Sequence, residues 1–535
     1  VFSNTDHVFQ NMGDGTYIHS GILSIRHAVA AKTKMTFKIL YNDAVALTGG
    51  QALDGLPTVA QMSKQLEAEG VEEIAIITDE IEKYSDRGGF AKNSKVYDRK
   101  NIIDVQIELS KINGTTVIIY DQTCAAEKRR RRKKGILEEP KKKIFINKDL
   151  CEGCGDCGIQ SNCVSIAPVE TEYGRKRQID QSSCNKDYTC VDGFCPSFVS
   201  LEGDIRLKKN YDDNLINKIN SKIDDPILPQ IDKSFGIMIA GIGGTGVVTI
   251  GAVLATAAQI DGKGSGVLDM TGLAQKGGAV WSHIKIFEKN NKPYSQKIAP
   301  GAANVLLACD GVVGTKPEIQ EVISKEKTIA VLNSNTIPVA DFITQRDIDF
   351  KNNDVFQMLE NTTNKIISSV PAINISEKLS GDAIGTNMLM LGSAYQNGLI
   401  PLKAENIFKA IELNGIGIER NIYNFNLGRL YTINPNHEIF SFLAENEVLN
   451  LNSIELFEDR LKRIENYDQR VVDDFIKDKN TIDQILSEEA DTENITKEAI
   501  KELYRVYAIK DEYEVARMHL ESTARILDNT FNSWN

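Results

Sequence analysis

Seven cysteines crowd into one short segment of the chain, and their spacing is its strongest chemical signal. Cys151, Cys154 and Cys157 form a C-x2-C-x2-C triplet, and Cys195 is followed directly by Pro196. Three thiolates at this spacing wrap one face of a four-iron cubane, and a Cys-Pro completes a cluster that a separate triplet begins. Zinc sites use two separated pairs instead. The spacing predicts that these four cysteines hold one 4Fe-4S cluster, with zinc or unliganded structural cysteines as the alternatives.

The three other cysteines of the segment, Cys163, Cys184 and Cys190, form an incomplete second set. They supply three ligands for a possible second cluster, and the sequence leaves its fourth ligand uncertain. Cys124 lies shortly after a predicted strand, and its residue type alone is consistent with a buried small hydrophobe. Cys309 lies in an apolar run and is predicted to be a core residue. Because the total is odd and clustered, we expect metal ligation and no disulfide framework.

A second chemical pattern combines a glycine-flanked carboxylate with a later amide. Gly13-Asp14-Gly15 is followed by Asn42, which comes directly after a predicted strand, and then by Ala44. Magnesium prefers oxygen ligands. The Asp14 carboxylate, the Asn42 side-chain oxygen and the Ala44 carbonyl are candidates for them. The alternative is an ordinary Gly-Asp-Gly turn.

A glycine-rich turn lies in the middle of the chain. The segment from Gly241 to Gly246 reads G-x-G-x-x-G, follows a predicted strand and opens a predicted helix, and Asp269 lies further on after a second apolar run. This pattern is typical of a dinucleotide site. The alternative is a strand–helix turn that binds no ligand.

The elements around these motifs divide the chain into four parts. Apolar runs alternate with helical patterns in residues 1–135 and again in 234–425, which predicts two α/β domains with parallel sheets. Residues 144–205 are rich in Cys, Gly and Ser and too few to bury a core without metal. Residues 426–535 are charged and helical. The predicted fold is therefore α/β multidomain, with a cysteine-rich insert and a helical tail.

Charge and hydropathy narrow the classes of function. The net charge of −12 argues against a nucleic-acid-binding protein. No run of about 18 apolar residues and no secretory signal is visible, so we expect no membrane span and a cytoplasmic location. The basic run at 128–134 is interpreted as a solvated loop between domains.

These motifs, taken together, resemble the 2-oxoacid:ferredoxin oxidoreductases over nearly the whole chain, most closely their fused long indolepyruvate form. Gly13-Asp14-Gly15 with Asn42 is similar to the thiamine-diphosphate signature, and Thr48-Gly49-Gly50-Gln51 to the T-G-G-Q that follows it in this family. The block from Met270 to Val280 resembles the segment after the second strand of the family's gamma domain. The segment 123–129 and the cysteine block carry most of the likeness.

The resemblance implies a fold and a set of cofactors. It assigns 1–135 to part of a thiamine-diphosphate domain, 144–205 to a ferredoxin-like segment and 234–425 to a gamma-type domain. The implied cofactor site comprises Gly13, Asp14, Gly15, Asn42, Ala44, Thr48, Gly49 and Gly50, with Mg²⁺ on Asp14, Asn42 and Ala44. Cys124 would match a cysteine that ligates the cluster nearest thiamine.

The implied reaction is oxidative decarboxylation of an indolepyruvate-like 2-oxoacid to an acyl-CoA. Coenzyme A is the implied co-substrate, and electrons pass through 4Fe-4S clusters to ferredoxin. We expect an N-terminal half of the same polypeptide upstream, a homodimer, a fragment that is inactive alone, and a tail that packs on the gamma-type domain or on a second copy. No catalytic residue is identified. The alternatives are a flavin- or nicotinamide-linked iron–sulfur oxidoreductase and a non-catalytic electron carrier.

Overall fold

A computed structural model describes most of the chain. The described residues are 4–42, 54–85, 88–203, 205, 223–243, 245–270, 278–289, 295–335, 345, 352–446, 451–486 and 492–531. The chain divides into two compact units, Val1–Glu139 and Pro140–Asn535.

The first unit is built on a parallel sheet of five strands in the order β1-β2-β5-β3-β4. Its strands are β1 (Val8–Gly13), β2 (Met35–Tyr41), β3 (Ile74–Thr78), β4 (Ser94–Asp98) and β5 (Thr115–Asp121). Its helices are α1 (Asp14–Thr16), α2 (Ile22–Ala30), α3 (Val59–Ala68), α4 (Ile102–Ser110) and α5 (Ala125–Lys133). A π-helical turn, Tyr17–Gly21, joins α1 to α2.

Helices cover both faces of this sheet, so its inner strand β3 is apolar and buried from Ile74 to Ile77. On β3, Ile74 and Ile76 belong to one core cluster, whereas Ala75 and Ile77 belong to another. Successive side chains of a strand point to opposite faces, and a parallel sheet buries both. The continuous apolar run at 74–77 therefore has the structure that the sequence predicts.

The second unit contains a six-stranded sheet in the order β11-β12-β10-β13-β14-β15. The strands are β10 (Phe235–Ile242), β11 (Gly264–Met270), β12 (Ala279–Phe287), β13 (Val305–Ala308), β14 (Ile329–Asn333) and β15 (Lys365–Val370). β12 runs antiparallel to both β10 and β11, while β10, β13, β14 and β15 are mutually parallel.

Helices pack on this sheet and on one another. They are α7 (Val247–Ile260), α8 (Gly311–Gly314), α9 (Pro317–Gln320), α10 (Asn352–Thr362), α11 (Ala372–Ser380), α12 (Thr386–Gln396), α13 (Ala404–Asn414) and α14 (Ile418–Ile433). α12 and α14 approach very closely, because a Cβ at Gly392 would overlap the carbonyl oxygen of Phe425 and one at Gly428 that of Leu389. α14 continues past residue 425, where the sequence analysis ends this domain.

The cysteine-rich insert is a small β structure with little helix. Two antiparallel pairs form it, β6 (Lys142–Ile146) with β9 (Phe198–Glu202), and β7 (Ile166–Thr171) with β8 (Gly174–Ile179). α6 (Asp156–Ser161) and a 3₁₀ turn (Thr189–Val191) carry cysteines and contact each other.

The helical tail packs mainly on this insert. A 3₁₀ segment, Glu438–Asn446, still adds Phe440 to the core of the second sheet, as expected. The helices that follow are α15 (Ser453–Tyr467), α16 (Val472–Leu486), α17 (Glu493–Tyr507), α18 (Glu512–Met518) and α19 (Ala524–Thr530).

Contacts between this tail and the insert are both apolar and polar. Leu527 and Phe531 share a buried cluster with Leu201 and Ile205, and Asn147 donates to the hydroxyl of Ser522 over 2.8 Å. For this part of the tail, the expectation of packing on the gamma-type domain is wrong. Within the described residues, no helix combines the length and apolarity needed to cross a membrane.

Candidate metal and cofactor sites

The carboxylate and amide of the predicted magnesium site lie together at one edge of the first sheet. β1 and β2 are parallel neighbours, so their carboxyl ends meet, and Asp14 and Asn42 directly follow these ends. Asp14 is 3% exposed. Its Oδ1 accepts a hydrogen bond from the N–H of Gly15 over 2.8 Å, and its Oδ2 accepts one from the N–H of Asn42 over 2.9 Å.

The side-chain amide oxygen of Asn42 indicates whether a cation fits at this site. Its Oδ1 is buried and has no hydrogen-bond partner among the residues that the structure describes. A buried polar atom without a partner costs about 1–3 kcal/mol, and a bound ion can provide that partner. The carboxylate oxygens of Asp14 keep lone pairs beyond the bonds that they already accept. The donor chemistry therefore fits a hard cation that prefers oxygen.

Part of the expected cofactor site lies outside the described residues. Ala44, Thr48, Gly49 and Gly50 all fall in the segment 43–53, of which the structure describes nothing. Gly13 ends β1, and a Cβ built on it would meet no atom within 4 Å, so there is open space in front of this residue.

The basic run is helical, which corrects its interpretation as a loop. Residues Ala125–Lys133 form α5, with Cys124 as the residue before its first turn. Glu127 is buried and pairs with Arg130 and Arg131, three and four residues further along the helix. These pairs stabilise the helix where repulsion within the run would oppose it. Cys124 is half-buried, and none of the other predicted cluster ligands is adjacent to it in the sequence.

The first set of cysteines lies in the loop before α6, in the first turn of α6 and in the loop before β9. Cys151 is buried, and its Sγ accepts a hydrogen bond from the N–H of Gly153 over 3.4 Å. The Sγ of Cys195 lies 2.9 Å from the hydroxyl of Ser197. Hydrogen bonds to sulfur are a property of cluster-binding loops, because they stabilise thiolate charge.

Electrostatic effects on the thiols divide the cysteines into two groups. Burial is the main cause that raises the pKa of Cys157 to about 11, and the charges of Cys151, Cys154 and Cys195 contribute to the same shift. These are the four cysteines that the triplet and Cys-Pro spacing predicts for one cluster. Because Coulomb interactions decline with distance, these contributions indicate that the other three thiols lie near Cys157.

The remaining three cysteines form the second group. Burial raises the pKa of Cys190 to about 12, with further contributions from Cys184 and Cys163. Burial also raises the pKa of Cys184, and here the charge of Cys163 adds to the effect, as do those of Asp187 and Asp180. Neutral thiols are favoured in such surroundings, so a bound metal is what would keep these sulfurs as thiolates.

Two buried cations next to the first set were not predicted from the sequence. Lys176 and Arg177 on β8 are 7% and 3% exposed. Arg177 lowers the pKa of Cys157, and the Nζ of Lys176 donates to the carbonyl of Lys148 over 3.0 Å. Positive charge here would offset the charge of four thiolates. The run of Arg and Lys at 175–177, inside a cysteine-rich segment, was the available signal.

None of the nine cysteines forms a disulfide. Among the described residues, no three His, Cys, Asp or Glu side chains converge so as to hold a single metal ion. A cubane binds each protein ligand to a different iron, so its ligands surround a volume and do not meet at one point.

The glycine-rich turn has a topology that differs from a dinucleotide fold. β10 leads into the turn and α7 leaves it, but the strand beside β10 is antiparallel β12, with β11 beyond it. A dinucleotide fold places the second strand parallel and adjacent to the first. Asp269 accepts a 2.5 Å hydrogen bond from Ser282 on β12, and Asn387 donates to the carbonyl of Thr245 within the turn. These contacts favour a structural role for the turn.

Comparison with protein families gives one match, to the family described as pyruvate ferredoxin/flavodoxin oxidoreductase, over residues 236–431. This range covers the second sheet and its helices. It confirms the resemblance to 2-oxoacid:ferredoxin oxidoreductases for this part of the chain. The segment 271–277, which carries most of the gamma-type motif, lies outside the described residues.

Two curated relatives and one solved structure are similar to parts of this chain. Indolepyruvate oxidoreductase subunit IorB of Archaeoglobus fulgidus is 26% identical over 176 residues, 33% of this chain and 83% of that protein. Its counterpart in Pyrococcus horikoshii is 24% identical over 200 residues, 37% of this chain and 95% of that protein. The structure of pyruvate oxidoreductase subunit PORC from Thermotoga maritima has 21% identity and a TM-score of 0.27, covering 38% of this chain and 97% of that one.

Proposed function

Because residues 236–431 of this chain belong to the pyruvate ferredoxin/flavodoxin oxidoreductase family, we propose that the chain is part of a 2-oxoacid:ferredoxin oxidoreductase. The substrate is indolepyruvate or a similar arylpyruvate, coenzyme A accepts the acyl group, and ferredoxin accepts the electrons. Curated relatives named as indolepyruvate oxidoreductase subunits support this choice of substrate.

The separation of seven cysteines into two neighbouring sets carries the proposal. Transfer to ferredoxin proceeds one electron at a time, and iron–sulfur clusters are carriers of single electrons. Cys151, Cys154, Cys157 and Cys195 would hold the first cluster. Arg177 and Lys176 would lie beside it and reduce the net negative charge that the buried cluster and its thiolates bring.

The first unit would bind magnesium and the diphosphate of thiamine. Asp14 and Asn42 would ligate the metal, with the carbonyl of Ala44 as a third oxygen; the unpartnered Oδ1 of Asn42 supports this assignment. Bound thiamine diphosphate supplies the electron sink that decarboxylation requires. The N–H groups of Gly15 and Asn42 fix the Asp14 carboxylate, so it is oriented before the metal arrives.

The test uses the intact natural polypeptide that contains this sequence, purified without oxygen. We expect it to release thiamine diphosphate on denaturation, to contain iron and sulfide, and to reduce ferredoxin only when indolepyruvate and coenzyme A are both present. Pyruvate and 2-oxoglutarate serve as competing substrates for the assignment of the 2-oxoacid.

Two results would overturn the proposal. A flavin spectrum with no thiamine would favour the dinucleotide-linked alternative in spite of the antiparallel β12. Iron without any dependence on a 2-oxoacid would favour an electron carrier.

A further inference from the structure

We propose that Asp187 is the fourth ligand of the second cysteine set, so that Cys163, Cys184, Asp187 and Cys190 hold a second 4Fe-4S cluster. The inference rests on the iron–sulfur part of the proposed function. It supplies the fourth ligand of the second cluster, which the spacing of the cysteines alone does not identify.

Spacing is the first argument. Asp187 lies three residues after Cys184 and three before Cys190, so the second loop reads C-x2-D-x2-C. The first loop, 151–157, reads C-x2-C-x2-C. Asp187 therefore occupies the position in the second loop that Cys154 occupies in the first.

Backbone geometry repeats in the same register. In the first loop, the residues on either side of Cys154 are Gly153 and Gly155, with φ of 68° and 84°. On either side of Asp187 are Lys186 and Tyr188, with φ of 59° and 60°.

Left-handed backbone is costly for residues with a side chain. Only four described residues other than glycine have positive φ, and two of them flank Asp187. The second loop thus adopts the same turn as the first, but without the glycines that lower the energy of a left-handed backbone. A ligand geometry that both loops share explains why the second loop keeps this costly backbone conformation.

The hydrogen bonds to the first cysteine of each loop also correspond. The N–H of Gly153 donates to the Sγ of Cys151, and the N–H of Lys186 donates to the thiol of Cys184. Each bond runs from the residue two positions further along the chain. Both loops therefore fold back on their first sulfur in the same way.

The last cysteine of each loop stands at the start of a short helical turn. α6 begins directly after Gly155 and carries Cys157, while the 3₁₀ turn Thr189–Val191 begins directly after Tyr188 and carries Cys190. The central ligand position is consequently two residues before a helical turn in both loops, and in the second loop that position is Asp187.

Asp187 has the accessible carboxylate that a ligand requires, whereas nearby Asp180 does not. The Oδ1 of Asp187 accepts a 3.3 Å hydrogen bond from the hydroxyl of Thr189, and the side chain is exposed. Asp180 accepts 2.8 Å and 2.7 Å bonds from the N–H and hydroxyl of Ser182 with the same oxygen, Oδ1, which ties it into a local turn. Asp187 also stands between two cysteines, as a middle ligand must.

An oxygen ligand would make the second cluster chemically distinct from the first. Carboxylate is harder than thiolate, so its bond to iron is the one that an added thiol displaces most readily. The unique iron would therefore exchange its ligand in the native protein but not in Asp187→Cys.

The experiment compares Asp187→Ala and Asp187→Cys with two matched controls, Asp192→Ala in the same loop and Asp180→Ala. Each is made in the intact polypeptide, reconstituted without oxygen, and assayed for iron and sulfide and by electron paramagnetic resonance with and without added 2-mercaptoethanol.

The native protein and both controls should contain the same amount of iron, of which the two clusters of this segment account for about eight irons per chain. Asp187→Ala should lose one iron as Fe²⁺ and, after one-electron oxidation with added ferricyanide, show the signal of an oxidised three-iron cluster. Asp187→Cys should keep all its iron and lose the response to 2-mercaptoethanol.

Three results would overturn the inference: full iron in Asp187→Ala with an unchanged spectrum, loss of iron in Asp180→Ala in place of Asp187→Ala, or only one cluster in the native protein. Absence of all iron would overturn the proposed function as well, so the two failures are distinguishable.

Discussion

A buried arginine joins the helical tail to the cysteine-rich insert, and its pairing can be tested quantitatively. Arg460 on α15 has a side chain that is 1% exposed, and it pairs with Glu172 in the β7–β8 turn and with Asp459. Its guanidinium lies 5.5 Å from the ring centre of Tyr173 and 5.4 Å from that of Tyr504. The perturbation is Glu172→Gln, which removes the charge and keeps the shape.

The magnitude follows from burial. Breaking a buried ion pair by removing one partner costs about 3–5 kcal/mol, because the other charge is left in a medium of low polarity. Glu172 is 23% exposed and Asp459 still pairs with Arg460, so both screening and the second carboxylate reduce the cost. We expect about 2–3 kcal/mol.

Hydrogen exchange measured by mass spectrometry on peptides from β7–β8 and from α15 is the appropriate assay. A loss of 2–3 kcal/mol should accelerate local opening roughly 30- to 140-fold, since 1.4 kcal/mol is about tenfold. Arg470→Ala is the control, because its side chain is 89% exposed in its pair with Asp468, and it should leave exchange unchanged.

A second variant makes the reasoning refutable. Glu172→Gln combined with Arg460→Met removes the buried charge together with its partner, and should recover most of the lost protection. Exchange as fast in the double variant as in the single one would show that the junction depends on the guanidinium's packing on the two rings and not on its charge.

Four further predictions concern other sites. Asp14→Ala should abolish magnesium-dependent binding of thiamine diphosphate while the clusters remain; unchanged affinity by calorimetry would mean that Gly-Asp-Gly is only a turn. Cys154→Ser should remove the first cluster and most electron transfer to ferredoxin, whereas Cys309→Ser, in the buried core, should keep all the iron; equal iron in both variants would contradict the assignment. Gly392→Ala should cost about 3 kcal/mol or more, because its Cβ would overlap the Phe425 carbonyl; a thermal midpoint within a degree of the native one would argue against it. Burial raises the pKa of Glu377 from 4.5 to about 8, and the charges of Asp180 and Asp382 add to the effect. The stability that this carboxyl contributes should therefore be full below pH 4.5 and be lost as the pH rises through 8. Glu377→Gln should make the melting temperature less dependent on pH between about pH 6 and 9, and an unchanged slope would refute this.

Features encoded by local spacing were predictable from the sequence. The triplet of Cys151, Cys154 and Cys157 is defined by intervals of three residues, and Cys151 and Cys154 are among the thiols whose charges raise the pKa of Cys157. The buried strand at 74–77 is likewise a short apolar run. Such patterns specify their structure because the interacting residues are close in the sequence.

Features that depend on distant partners were not predictable. The basic run forms a helix, and its Lys128 pairs with Asp79, which lies 49 positions earlier in the sequence with two strands between them. The junction between Arg460 and Glu172 joins residues 288 positions apart. The tail's charge pattern predicts helices but contains no information on which surface they cover, because any apolar stripe could face either neighbour.

The docking of the tail on the insert has a consequence for how the protein is made. Asn147 is bonded to Ser522, 375 residues later, and Phe531 completes the cluster around Leu201. A ribosome that has just finished the cysteine segment has produced its ligands but not the tail residues that pack on its strands. Docking of the tail must therefore wait until synthesis has passed residue 531, and during that interval the segment has to fold without these contacts.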